Sequence, residues 1–172
     1  IARLQHFAVD VAGMQRIRNG RTSSSIVTTR RDGSRPALHM KGATGDFFDL
    51  FVLVANPTAT TAAVQATFLL PGGTTVVKSY TVAANSRFNI WVDAEDARLA
   101  NTSLSTVITS TNNVPVIVER AMWWPGPTAG TWWGAHNAAG STATGRAWAL
   151  AEGEAGGPKS LETYILIANR GA

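Results

Sequence analysis

The sequence contains one strand-like pattern twice, and this repeat sets the size of the unit into which the chain can fold. "RPALHMKG" at 35–42 returns as "RAWALAEG" at 146–153, a shift of 111 residues. "FVLVAN" at 51–56 returns as "YILIAN" at 164–169, a shift of 113 residues. Similarity at a fixed spacing is typical of repeated structural units. We therefore predict a unit of 111 to 113 residues.

The repeat divides the 172 residues into one complete unit and two flanking segments. The complete unit is predicted at 37–147, a length that suits a single domain. The segment 1–36 precedes it as a basic arm or strand, and 148–172 begins a second unit with a strand that can be donated. The chain starts at Ile1 and shows no signal-peptide pattern, so we expect a processed or truncated product.

Alternating apolar and polar residues, interrupted by turn signals, dominate the chain from Phe48 onward. In "AVQATFLL" the alternation places Val64, Ala66 and Phe68 on one face, and the "PGG" that follows predicts a hairpin turn. Short strands with turn signals at roughly 8 to 12 residue intervals are typical of antiparallel sandwiches. We predict an all-β fold, an antiparallel β-sandwich of about seven strands with N- and C-terminal extensions and little helix.

Three segments give sharper predictions about side-chain placement. "FDLFVLVAN" at 48–56 is a continuous apolar run, which favours a central strand covered on both faces. "DAEDARLA" predicts one short helical turn capped by Asp93. In "VPVIVERAMWW" the period of two places Arg120 on the same face as Val118 and opposite Glu119.

No pattern in the sequence predicts catalytic residues, a metal site or a cofactor. The chain has no Cys, which excludes thiol catalysis, disulfides and thiolate metal ligands. The three His residues stand far apart, and there is no serine nucleophile elbow. "DAEDA" could attract Ca²⁺, but it lacks the alternating ligands and the Gly of a calcium loop, so a solvated turn is favoured. We predict that the protein is not an enzyme.

Positive charge is concentrated in the N-terminal part of the chain. Residues 1–41 carry eight Arg and Lys against two Asp, a net charge of +6, whereas the rest of the chain carries seven against nine. Such an arm can bind an anionic polymer, dock on an acidic neighbouring subunit or remain a solvated face. No motif supports nucleic acid as a partner. The residues of this basic arm are Arg16, Arg18, Arg21, Arg30 and Arg31.

Among the residue types in this chain, tryptophan is the most informative about a ligand-binding site or a junction between domains. Exposed, coplanar rings would favour a module that binds sugar rings. The other interpretation, which we favour, is that one Trp of each adjacent pair fills the core while its neighbour covers a junction between domains or subunits. The candidate residues for a ligand or a junction are Trp91, Trp123, Trp124, Trp132, Trp133 and Trp148.

Several motifs recur together along the chain: "DLFVLVANP" with its counterpart "ETYILIAN", "PGGTT", "ANSRFNI", "VPVIVERAMWW" followed by "GAHNAAGSTA", and "WALAEG". In these motifs the chain resembles a family of uncharacterised bacterial extracellular repeat domains. The resemblance covers 37–172, with Lys41 in place of the Glu of "AEG" in the first copy. It implies tandem immunoglobulin-like β-sandwiches, secreted by bacteria or on their surface, with no established enzymatic role.

The strand within "LETYILIAN" at 161–169 is as apolar as its counterpart in the complete unit. Left in solvent, such a strand promotes aggregation, so it needs a partner. It can add to its own sandwich or complement a neighbouring copy through backbone hydrogen bonds, and we favour the neighbouring copy. The residues of this assembly strand are Leu161, Tyr164, Ile165, Leu166 and Ile167.

The sequence thus predicts a non-enzymatic structural protein of the bacterial cell surface or extracellular matrix. Its copies, or tandem neighbours, would join head to tail into a filament or array. The alternative is a β-sandwich module that binds carbohydrate or another surface polymer through exposed Trp residues. No apolar run approaches the roughly 20 residues that a membrane-spanning helix needs.

Overall fold

A computed structural model describes residues 7–13, 37–125, 132–142 and 163–169. Helical structure in these residues is limited to α1 (Val92–Glu95) and the 3-10 turns Pro71–Gly73 and Ala97–Leu99. The described residues form the strands β1 (Phe7–Gly13), β2 (Ala37–Ala43), β3 (Asp49–Asn56), β4 (Ala62–Leu69), β5 (Thr75–Val82), β6 (Ser86–Trp91), β7 (Ser103–Ser110), β8 (Ile117–Pro125), β9 (Trp132–Ala139) and β10 (Thr163–Asn169).

Eight of these strands form two four-stranded antiparallel sheets that pack as a sandwich. The strand order is β2-β7-β4-β5 in one sheet and β6-β3-β8-β9 in the other. The predicted antiparallel β-sandwich is therefore confirmed, with eight strands rather than about seven, because the repeated segment Ala37–Ala43 forms a strand of its own. The predicted "PGG" hairpin is also confirmed, since Pro71–Gly73 joins β4 to β5.

The core lies between the two sheets and is built from alternate residues of each strand. β3 contributes Val52 and Val54, and β4 contributes Val64, Ala66 and Phe68, the face that the alternation predicts. Each of these side chains is at most 1% exposed. Burying one large aliphatic or aromatic side chain contributes about 1.5–3 kcal/mol, so this layer is the main source of stability.

Arg120 lies inside this apolar layer, on the inward face that the period of two predicts, and is fully buried. Its Nη1 lies 2.8 Å from Sδ of Met122, and its Nη2 lies 2.7 Å from Nδ1 of His136. Because a guanidinium only donates, Nδ1 of His136 accepts, which places the ring proton on Nε2. Register explains the proximity, since Met122 and His136 are directly paired across β8 and β9.

Two predictions about local structure are confirmed only in part. The run 48–56 forms a central strand, but its outer face is only partly covered, since Phe51, Leu53 and other outward residues of β3 are half-buried. The short helical turn is present as α1, but Asp93 does not cap it, since α1 begins after Trp91 without a side-chain cap. Instead the Asp93 carboxylate accepts hydrogen bonds from the backbone of another segment.

β1 and β10 form a separate two-stranded antiparallel sheet, which we call the terminal ribbon. Its register pairs Val9 with Ile167 and Val11 with Ile165. The ribbon lies next to β2 and β9. Within the part of the chain that the structure describes, each ribbon strand has one paired edge and one open edge. The domain boundaries at 36/37 and 147/148 fall outside this part or at its limit and stay predictions.

Among the described residues, no helix is long and apolar enough to cross a membrane.

Candidate functional site

The outer face of the β6-β3-β8-β9 sheet carries a group of aromatic side chains, which we call the aromatic face. Its members are Phe51 of β3, Trp91 of β6 and Trp123 of β8, with Asp49 among them. Trp91 is paired with Phe51, and Trp123 is paired with Asp49. Directly paired residues lie on the same side of a sheet, so the register alone places these four together.

Trp91 is held in position by two contacts. Its indole Nε1–H donates to Oδ1 of Asp49 at 3.1 Å. Its ring is nearly parallel to that of Phe51, with an angle of 15° between the planes and 6.1 Å between the centroids. The side chain is nevertheless 49% exposed. The arrangement orients an aromatic ring whose surface stays open to solvent.

Asp93 fixes the end of β6 relative to the start of β3, and so helps to position this face. Its Oδ1 accepts from the backbone N–H of Gly45 at 3.3 Å, and its Oδ2 accepts from that of Leu50 at 3.0 Å. Burial raises the pKa of Asp93 above its ordinary value, and the two backbone N–H groups partly oppose that rise. The carboxylate links two chain segments that lie more than 40 residues apart.

The two adjacent tryptophans of β8 differ in their surroundings. Trp123 is 38% exposed on the outer face. Trp124 is half-buried, and its ring meets Phe48 edge to face at a centroid distance of 6.4 Å. It also covers Gly134 of β9 so closely that a Cβ there would collide with the indole. Gly134 therefore makes room for one Trp of the pair while the other remains on the surface.

The remaining predicted aromatic residues are placed only in part. Trp132 and Trp133 lie in β9, and their side chains are outside the described part of the structure. Trp148 lies outside it altogether, as do Leu161 and the basic arm. The basic arm comprises Arg16, Arg18, Arg21, Arg30 and Arg31. Its partner therefore stays a prediction.

The assembly strand is found as β10, which contains Tyr164, Ile165, Leu166 and Ile167. In this single chain it pairs with β1, and pairing with a neighbouring copy stays a prediction. The repeat shift of 113 makes Ile165 and Ile167 the counterparts of Val52 and Val54. The two valines are 0% and 1% exposed, whereas the two isoleucines are 55% and 61% exposed. Positions that form core in the first copy are thus open in the second.

The "DAEDA" segment has no metal-binding geometry. No group of three or more His, Cys, Asp or Glu side chains capable of holding a metal ion occurs within the described ranges. Asp96 is instead bound to Arg98 at 2.8 Å, and its carboxylate also accepts from the backbone N–H of Arg98. These contacts hold the pKa of Asp96 well below its usual range.

Sequence reasoning found the tryptophans but missed Phe51 and Asp49 as members of the aromatic face. Phe51 has no distinguishing signal in the sequence, because it lies within 50–55, where every residue is apolar. Only the strand register, which pairs Phe51 with Trp91, separates its outward position from the inward valines of the same strand.

Comparison with known proteins supports the fold and leaves the function open. The sequence matches no protein-family model and no curated protein. The crystal structure of Thermotoga maritima 1070 is similar, with a TM-score of 0.53 over 62% of this chain and 92% of that chain. The two sequences are 16% identical over the match, so the similarity is one of fold alone.

Proposed function

We propose that this chain is a non-enzymatic structural protein of the bacterial cell surface or extracellular matrix, whose copies join head to tail by strand pairing. The observation that carries the proposal is the exposure of Ile165 and Ile167. Their counterparts Val52 and Val54 are buried by the facing sheet. A solvent-exposed copy of a core strand is an energetic and aggregation liability unless another sheet covers it.

Strand addition is the mode of joining that fits the terminal ribbon. A strand of a neighbouring copy can add to the open edge of β10 and form a backbone hydrogen-bond ladder. Other residues of that neighbouring copy would then pack on the face of the ribbon and cover Ile165 and Ile167. Covering these two half-exposed side chains contributes only about 2 kcal/mol in total. The apolar contact is therefore too weak to hold two copies, and the ladder has to supply the rest.

The surface location rests on the resemblance to bacterial extracellular repeat domains. The absence of Cys is compatible with that setting. A head-to-tail contact of this kind produces a filament, or a ring where the rotation between copies closes.

Sedimentation velocity over a wide range of protein concentration tests the proposal. We expect the wild-type chain to form larger species as concentration rises, and the double variant I165T/I167T to need at least tenfold more protein. Threonine keeps the β-branched shape and removes apolar surface. V77T is the matched control, because Val77 of the edge strand β5 is 52% exposed and lies outside the ribbon.

Equal assembly by the double variant and by V77T would contradict the proposal, as would a wild-type chain that stays monomeric throughout. Circular dichroism of each variant establishes that the sandwich is folded before assembly is compared.

A further inference from the structure

The aromatic face combines apolar ring surface with hydrogen-bonding groups at short intervals. Trp91 and Trp123 expose ring surface, and Asp49 lies between them in the register. The amides of Asn89 and Asn137 are exposed on the same side of the sheet, on β6 and β9. A surface of this kind is complementary to a pyranose, which has apolar C–H faces and a rim of hydroxyl groups.

We propose that the aromatic face is a binding site for a neutral polysaccharide. The hydrogen bond from Trp91 uses one acceptor position of Asp49, and a carboxylate has about four, so Asp49 can still accept from sugar hydroxyls. The same bond orients the indole before a ligand arrives, which lowers the entropic cost of binding. The site lies on the sandwich itself and does not depend on whether copies join through β10.

Charge selects neutral over acidic sugars. The register places Asp49 opposite Trp123, within the aromatic face. Asp49 is a carboxylate, so a uronic acid or a sulfated sugar would meet like charge at the site. Arg87 is on the same side of the sheet but lies at the far end of β6 from Trp91. A neutral glycan meets hydrogen-bond acceptors beside the rings instead.

The site is shallow, and each unit should bind weakly. A few aromatic contacts on an open sheet give dissociation constants on the order of 1 mM. If units repeat along an array, the same face recurs and effective concentration raises the overall affinity by about 10² or more. Weak single sites and strong array binding would suit a protein that attaches to a polymer.

Affinity electrophoresis of the full chain tests the site, with soluble hydroxyethylcellulose as the neutral probe and polygalacturonate as the acidic one. The mobility of each protein in the polymer gel is divided by its mobility in a gel without polymer. Self-association slows the protein in both gels, so it does not change this ratio. We expect hydroxyethylcellulose to retard the wild-type chain and W91F, which keeps an aromatic ring. We expect W91A/W123A to lose at least nine-tenths of the retardation.

F88A is the matched control, because Phe88 is 39% exposed but contacts Tyr80 instead of the aromatic face. It should be retarded like the wild type. The proposal is overturned by a wild-type chain that hydroxyethylcellulose does not retard, by W91A/W123A behaving like the wild type, or by retardation in polygalacturonate alone. The last result would assign binding to positive charge elsewhere in the chain.

Discussion

At Asp93, burial and hydrogen bonding act on one carboxylate in opposite directions. Removal from water raises its pKa, while the N–H groups of Gly45 and Leu50 stabilise the charged form. The net direction is upward, so burial is the larger effect. The residue acts in positioning: it joins the end of β6 to the start of β3, the two strands that carry Trp91 and Asp49.

The pKa of Asp93 predicts how stability changes with pH. Its folded-state pKa lies above 3.8, so the folded state binds this proton more tightly than the unfolded state does. The free energy of unfolding of the wild type should therefore rise relative to D93N as the pH falls from neutral towards 3.8, and the difference should be constant below that value. At pH 7 the variant should be less stable by about 1–2 kcal/mol, because it offers one acceptor oxygen to two N–H groups.

Denaturant titrations of both proteins at several pH values measure this difference. A difference that shrinks as the pH falls would mean that the two hydrogen bonds outweigh burial and that the pKa of Asp93 is lowered instead of raised.

Asn56 ends strand β3 with a set of hydrogen bonds that no strand pattern predicts. Its Nδ2 donates to the carbonyls of Thr60, Val82 and Ala83, and its Oδ1 accepts from the backbone N–H and the hydroxyl of Thr58. The side chain is 1% exposed. It holds the β3–β4 connection against the end of β5 and so terminates the strand at a fixed place.

Replacing Asn56 with Asp should destabilise the sandwich by about 3 kcal/mol. The Nδ2 donor would be replaced by a carboxylate oxygen, which cannot donate to the three carbonyl oxygens and would repel them in a buried site. N112D is the control, since Asn112 makes similar bonds to Thr61 and Ala63 but is exposed. The N112D substitution should lower the free energy of unfolding by less than about 1 kcal/mol. Thermal unfolding monitored by circular dichroism compares the two, and equal losses would be inconsistent with this role for Asn56.

The strands themselves were accessible from the sequence because polar and apolar residues alternate in β4, β6 and β8. The inward position of Arg120 follows from that period alone. The one-sided burial of β3 did not follow, because a run such as "FVLVAN" is apolar on both faces whether or not a second layer covers it. The position of Asp93 depends on the distant backbone of Gly45 and Leu50, which no local pattern contains.

On the scale of the whole molecule, the fold separates two kinds of surface. The sandwich buries its core between two sheets and presents the aromatic face outward. The terminal ribbon repeats the pattern of β3 but leaves Ile165 and Ile167 exposed. Under our two proposals, the terminal ribbon would join copies into an array and the aromatic face would attach that array to a glycan.

Negative-stain electron microscopy of the purified chain, over a range of concentrations, tests head-to-tail joining most directly. We expect filaments or closed rings of wild-type protein with one sandwich per step, and the same assemblies from I165T/I167T only at concentrations at least tenfold higher. Isolated wild-type particles at every concentration, or filaments of the double variant at the same concentrations as the wild type, would contradict joining through β10.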